Sequence, residues 1–503
     1  MKQNRLKINL IFSMISMIVQ FMQSMWVTSY VQRNMGIDAY GYVSVVVGIV
    51  NMAGIVSVAL TSVCSRYIVI EMQDGNNDRI SCVFSTLYYS LTVIALICML
   101  VFIGVISHIT WFINITPEYI EQVSWLMFIV AIDFSVQLIQ VPFLSFFYYE
   151  ENLYYSYIAI IVANISKVVA TVAIFAMWQP AIWATYVGAV FADLCALVFF
   201  NVYVKSNYSF ISKKFVNFSF KKLKEILSAG IWVSISKLAA TLLSTCSTYI
   251  VNLFLGAYST GIYGTLAQLQ SILSLITVTI VNVFLPEMYH KYAKREIDQL
   301  VLYTKNRIRV ISIVLGFFSG GLIIFGNEFL QIWLSKEYNN WETLIIISVV
   351  YLPLTYSAEM INQLLITINK TKQIALISIF AGIINVCLAV VMVKYTTLGI
   401  YGVAIAQMLV LLFRSWIIMS IYSARMLNAK WYVFCKAQAS GIKSIVITMV
   451  CGIGCHAVFA INTWGKLIIS CALTGGISFV ILSIIDKEFK MFVKDIIVKN
   501  KDR

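Results

Sequence analysis

Apolar runs of about 20 residues or more recur along the whole of this 503-residue chain, each long enough to cross a hydrocarbon layer roughly 30 Å thick as a helix. A backbone in that layer has no water to bond, so it must satisfy its own amides within helices or a closed barrel. A barrel would be written as short alternating strands, which this sequence lacks. Segmentation predicts fourteen helices, at about 8–31, 40–65, 82–108, 121–148, 154–178, 181–204, 226–254, 261–286, 308–333, 343–369, 373–394, 399–423, 443–461 and 465–485. With 60% hydrophobic and 12% charged residues, the chain could not cover the surface of a soluble domain. The fold class is an all-α polytopic membrane protein.

One pattern of punctuation occurs twice. Gly36, Tyr40 and Gly41 precede the second helix, and Gly256, Gly261 and Tyr263 precede the eighth, at an offset of 220 residues. The same offset brings YEENLYYSYIAI, between helices four and five, onto NKTKQIALISIF, between ten and eleven, with Asn164 and Asn385 one residue out of register. Duplication inside a membrane protein points to a transporter of two halves. Six is an even number, so helix seven enters from the same side as helix one and the halves are expected to be pseudo-symmetric about the membrane normal. The expected organisation is an N-terminal six-helix bundle over 1–205, a basic cytoplasmic linker over 206–225 and a C-terminal six-helix bundle over 226–423. A cytoplasmic connector over 424–442, helices thirteen and fourteen over 443–485, and a cytoplasmic tail over 486–503 complete it.

A net charge of +14 raises the question of nucleic acid, and the placement of the charge answers it. Of the 36 Lys and Arg, 29 fall in the even-numbered connections and at the two termini, four in the opposite connections and three within helices. Sorting by membrane side is the positive-inside pattern: both termini are cytoplasmic, and no nucleic-acid face is implied. The N-terminal Lys2, Arg5 and Lys7 precede an apolar stretch with no small-residue cleavage pattern, which reads as a retained first helix. Ten cysteines stand singly; even Cys451, Cys455 and His456 lack a further ligand, so neither metal nor redox function is implied. Connections on the outer side are short and hold no room for a catalytic domain, which favours a transporter over an enzyme.

Charged side chains inside a bilayer cost several kcal/mol unless they face a partner, the bundle interior or water. Asp133, Lys167, Asp193, Lys237, Glu359 and Arg414 are well inside, and Arg66 lies at the expected cytoplasmic end of helix two. One reading makes them three ion pairs stitching the bundle, for example Lys167 with Asp133 or Asp193. The other makes Lys167, Lys237 and Arg414, with Arg66 at the mouth, a cationic path for an anionic substrate, while Asp133, Asp193 and Glu359 balance charge or carry a coupling ion. Asn164, Gln268 and Asn385 are further polar cavity candidates. Pro142, Pro286 and Pro353 permit kinks, and Trp111, Trp178, Trp333, Trp341 and Trp464 fit interfacial anchors.

The fourteen helices, the two halves, the Gly-Ile-Tyr segment running to Pro286 and Glu287, and LGIYGVAIAQ over 398–407 together resemble the multidrug/oligosaccharidyl-lipid/polysaccharide exporter superfamily. Within it the chain is most similar to the polysaccharide biosynthesis branch, the O-antigen and capsular repeat-unit flippases, over nearly its whole length. The resemblance implies movement of an undecaprenyl-diphosphate-linked oligosaccharide from the cytoplasmic to the outer leaflet of a bacterial inner membrane by alternating access. It further implies polysaccharide assembly proteins as partners and coupling to a proton or sodium gradient, with no other cofactor. A drug/cation antiporter of the same superfamily would prefer an acidic cavity, and three acids against three bases leave that alternative open. A lipid II flippase differs only in headgroup. A membrane-embedded polymerase or ligase would need catalytic groups in outer loops that carry few His, Asp or Glu residues.

Overall fold

The computed structural model describes residues 2–211, 214–334, 337–338, 341–458, 461–486 and 488–491. Most of the basic tail expected at 486–503, with Lys213 and Lys336, lies outside the described residues. Among the described residues there is no strand, and thirteen helical stretches are long and apolar enough to cross a membrane. The helices are α1 (Lys2–Met35), α2 (Ile37–Asp74), α3 (Asn77–Ser107), α4 (Ile120–Tyr149), α5 (Tyr154–Met177), α6 (Ala184–Asn207) and α7 (Phe220–Leu243). They continue with α8 (Thr245–Ala293), α9 (Ile297–Trp333), α10 (Glu342–Thr367), α11 (Thr371–Tyr395), α12 (Ile400–Met426), α13 (Ser440–Val458) and α14 (Trp464–Ile485). The stretch Phe220–Ala293 runs 74 residues, about 110 Å if straight, and so holds two of the expected crossings; they meet at Gly256, whose φ of 80° and ψ of −175° are not helical. Several helices overrun their apolar windows, because intrahelical bonding does not stop where hydrophobicity does. Arg66, expected at a helix end, therefore stands about two turns inside α2, which runs on to Asp74.

Two compact units divide the chain: residues up to Thr241 with Thr248–Gly264 form unit 1, and Leu242–Ser247 with the residues from Thr265 onward form unit 2. This boundary differs from the one expected at the basic linker, since 226–241 and 248–264 pack on the first six helices. The cause is close backbone approach within unit 1. A side chain at Gly230 would overlap the backbone of Ala59, and the Tyr249 hydroxyl donates to the Phe112 carbonyl at 2.8 Å.

The sequence repeat is also a backbone repeat. Left-handed φ values occur at Gly36 (89°) and Gly256 (80°), and again at Gly75 (69°) and Arg295 (59°), each pair 220 residues apart. Only glycine takes such angles without steric cost, so Arg295 occupies a conformation that its counterpart Gly75 fits better. A Cβ at Gly41 would overlap the Ala257 carbonyl, and one at Gly261 would overlap the Ile37 carbonyl. Ile37 and Ala257 are themselves 220 residues apart, so inside unit 1 each copy seats its second glycine on the other copy's first helical turn.

Two helix breaks are mended by side chains, as a bilayer requires of freed carbonyls. At Ser244 the chain leaves helical geometry; the Asn385 amide then donates to the Leu242 carbonyl at 3.0 Å and the Gln407 amide to that of Leu243 at 3.1 Å. Around Pro353, α10 falls into the pieces Glu342–Val349, Leu352–Tyr356 and Glu359–Thr367. Ser357 donates to the Pro353 carbonyl at 2.6 Å and Gln438 to that of Leu354 at 2.8 Å, and the Ser312 hydroxyl reaches both Pro353 and Gln438. The expected amphipathic connector thus contains a helical turn, Val433–Gln438, whose Phe434 and Gln438 are fully buried in unit 2.

The last two helices are fastened to α9 by small residues. A Cβ at Gly316 would overlap the Gly441 carbonyl and one at Gly441 would overlap Pro353 and Ser312, and the Ser444 hydroxyl donates to the Ile313 carbonyl at 2.8 Å. Arg309 closes this seam at one end on Asp486, with Nε 2.8 Å from Oδ2, and His456 lies 2.8 Å from Glu328 at the other. Trp333, expected as an interfacial anchor, is instead 4% exposed within unit 2, its ring 5.4 Å from Phe329.

Candidate functional site

Within unit 1, α4, α5 and α6 bring three of the expected residues together. Gly188 lets α6 press its backbone against Ser166 and Lys167 of α5, where any larger residue would collide. The Lys167 ammonium then lies over the Tyr186 ring, 4.1 Å from its centroid, a cation–π contact. Beside it, Asp133 of α4 and Asp193 of α6 are 5% and 8% exposed. Gln137, one turn after Asp133, donates its amide to Asp133 Oδ2 at 3.1 Å and to Asp193 Oδ2 at 2.9 Å. Gln140, on the same helix, donates to the Asp193 carbonyl at 2.6 Å. Asp133 Oδ1 is buried without a partner. Lys237 on α7 and Arg66 on α2 are exposed and engage no side-chain partner among the described residues. Asn164 is buried and bonds its own helix, donating to the Ile160 carbonyl at 2.7 Å.

Unit 2 holds the other expected residues. Residues Leu412–Ile418 of α12 wind as a π-helix, which inserts one extra residue per turn and re-aims side chains, a feature frequent at functional sites. Arg414 lies in it. Its Nε and Nη2 donate to Ser378 Oγ at 3.0 and 2.7 Å and its Nη1 to Ser415 Oγ at 3.1 Å. Glu359 is held by its own helix, accepting from the amides of Asn362 and Gln363, each at 2.9 Å. Asn385 is fully enclosed and engaged at the Ser244 break, while Gln268 of α8 is half-buried.

None of the six intramembrane charges forms an ion pair within 4.0 Å among the described residues. The stitching reading, which paired Lys167 with an aspartate, is therefore not the arrangement found. Acids doing structural work look different here. The Glu150 carboxylate accepts from the hydroxyls of Tyr203 and Tyr208, each at 2.6 Å, and its carbonyl accepts from Arg5 at 2.6 Å. Burial, reinforced by that carboxylate, holds the Tyr208 phenol above its ordinary pKa. Glu71 likewise pairs with Lys222 at 3.2 Å.

The model of the family described as "Polysaccharide biosynthesis protein" matches residues 6–292, more than half of the chain. The chain belongs to this family. A Bacillus subtilis relative, "Uncharacterized membrane protein EpsK", is 24% identical over 465 residues, covering 92% of this chain and 91% of that one. A Shigella flexneri relative, "Putative O-antigen transporter", is 21% identical over 321 residues, 61% of this chain and 72% of its own. Among solved structures, "Lipid II flippase MurJ, inward closed conformation" superimposes with a TM-score of 0.73 at 14% identity, over 97% of this chain and 100% of that one. At that identity the likeness is one of fold.

For this member of the polysaccharide biosynthesis family, sequence reasoning found the charges and missed their holders. Gln137 is four residues after Asp133, and an amide one turn from a membrane acid was a usable signal. Tyr186, Ser378 and Gln407 carried no such signal, because aromatic, serine and glutamine residues at those positions are ordinary in membrane helices.

Proposed function

We propose that this protein is a flippase, and not an enzyme, that moves undecaprenyl-diphosphate-linked oligosaccharide repeat units of O-antigen, capsule or a similar polymer. Transport runs from the cytoplasmic to the outer leaflet of the bacterial cytoplasmic membrane, with both termini cytoplasmic and assembly proteins receiving the product. The observation that carries this reading is Arg414: a guanidinium on a π-helical turn, bonded only to hydroxyls, with Glu359 near enough to act on it electrostatically but no carboxylate within 4.0 Å. A desolvated cation so held attracts an anion, and guanidinium geometry matches phosphate oxygens. Within unit 1, Lys167 and the exposed Lys237 and Arg66 are the cations that the same reading uses. Membership of the polysaccharide biosynthesis family and the name of the Shigella relative favour this cargo over a drug. The drug/cation antiporter reading draws on the opposite observation, the acid pair of Asp133 and Asp193.

Deleting the gene tests the two readings together. Loss of the surface polysaccharide, with lipid-linked single repeats accumulating on the cytoplasmic side, is the expected result. Intact polysaccharide in a strain with no second flippase, together with new drug sensitivity, would replace this reading with the antiporter.

A further inference from the structure

Asp133 and Asp193 have no part in attracting an anionic cargo; a pair of carboxylates would repel it. Both are at least nine-tenths buried, and one amide, that of Gln137, donates to an oxygen of each. The two bonded oxygens are thus no farther apart than the span of those two bonds. Like charges at such separation in a poorly solvating interior cannot both be ionised without a compensating cation, and one proton shared between them removes the repulsion. The nearest cation, Lys167, is more than 4.0 Å from either carboxylate and turned onto the Tyr186 ring. Two ionised aspartates with one ammonium carry a net charge of −1; a single proton makes the group neutral.

Among the described residues, Lys167 is the one cation that acts on Asp133. The charged groups acting on Asp133 are Lys167 of α5 and Asp193 of α6, and none from α2 or α3 is among them. Asp133 Oδ1 is buried and unbonded, an acceptor held open in the core of unit 1. A metal ion fits this group poorly, since the third group turned toward the carboxylates is an N–H donor, which repels a cation, whereas a proton needs only the oxygens themselves.

We propose that Asp133 and Asp193 share one exchangeable proton, held by Gln137 and offset by Lys167, and that this pair is the proton-binding site of the transport cycle. Proton sharing stands on the geometry of unit 1; its use in transport rests on the flippase reading above. Release leaves the pair doubly ionised beside Lys167 with a net charge of −1, and uptake of one proton restores a neutral group, so each proton bound on one side and released on the other carries one positive charge across.

Infrared difference spectroscopy on the purified full chain, with no lipid-linked sugar present, tests the sharing. The wild type should show a protonated-carboxyl C=O band at neutral pH that disappears in alkali. Asp133→Asn and Asp193→Asn should each lose it while eluting as a folded protein, and Asp193→Glu should retain it with a shifted midpoint. A wild-type spectrum indistinguishable from that of Asp133→Asn would overturn the proposal. Proteoliposomes loaded with lipid-linked repeat units extracted from the deletion strain test the use. Wild-type translocation should respond to an imposed proton gradient and not to a sodium gradient, and Asp133→Asn should be indifferent to both. Translocation insensitive to protons, or driven by sodium alone, would overturn the assigned role. Absence of any translocation with the band intact would instead count against the flippase reading.

Discussion

The charged groups of the two units are built in opposite ways. In unit 1 two acids share an amide, and the cation beside them rests on an aromatic ring. In unit 2 a cation rests on two serines, while the acid of that unit is held by the amides of its own helix. Both arrangements hold charge with neutral dipoles. True ion pairs, such as Arg309–Asp486 and Lys222–Glu71, involve residues at the edges of the apolar windows or beyond them. Pairing here fastens helix ends, and the flippase reading proposed above uses the unpaired charges inside the membrane. A paired charge has already satisfied its field; a charge held by hydroxyls or a ring still attracts a counter-ion.

Removing the unit 2 cation should break the comparison most severely. Arg414→Ala is expected to lower export by roughly tenfold or more with insertion unchanged, since a lost charge-assisted contact to phosphate is worth on the order of 1.5–3 kcal/mol. Arg414→Lys should recover only part of it, because an ammonium lacks the planar fork that reaches Ser378 through two nitrogens. Surface polysaccharide against membrane-inserted protein is the measurement. Lys167→Ala should impair export less, as Lys237 and Arg66 remain; equal loss from both variants would erase the distinction between units. At the helix ends the order of effects should reverse. Asp486→Asn is expected to reduce thermal stability by about 1–2 kcal/mol, the Arg309 side being partly solvated, and to leave export near wild type. Arg295→Gly should raise stability by about 1 kcal/mol or less through relief of a left-handed backbone, with no change in transport.

How far the sequence was legible depends on what each feature needs. Helices needed only hydropathy, and the duplication needed only glycines, since Gly36 and Gly256 stand where the backbone turns left-handed. The interior charges were conspicuous because an apolar sequence makes Asp133 or Arg414 stand out. Their surroundings were not legible: Ser378 and Arg414 are 36 residues apart, and nothing local marks the pairing. Pro353 announced its helix break, whereas the break at Ser244 has neither proline nor glycine beside it and emerges only from the enclosed amides of Asn385 and Gln407. Asn385 therefore looked like a cavity residue, when its amide is engaged in the backbone of a neighbouring helix.

The most direct test is translocation by the purified protein. In proteoliposomes carrying lipid-linked repeat units, with accessibility of the sugar followed on each leaflet, the wild type should move the headgroup across and Arg414→Ala should not, though both reconstitute equally. Equal translocation by the two, or none by a correctly folded wild type, would contradict the account.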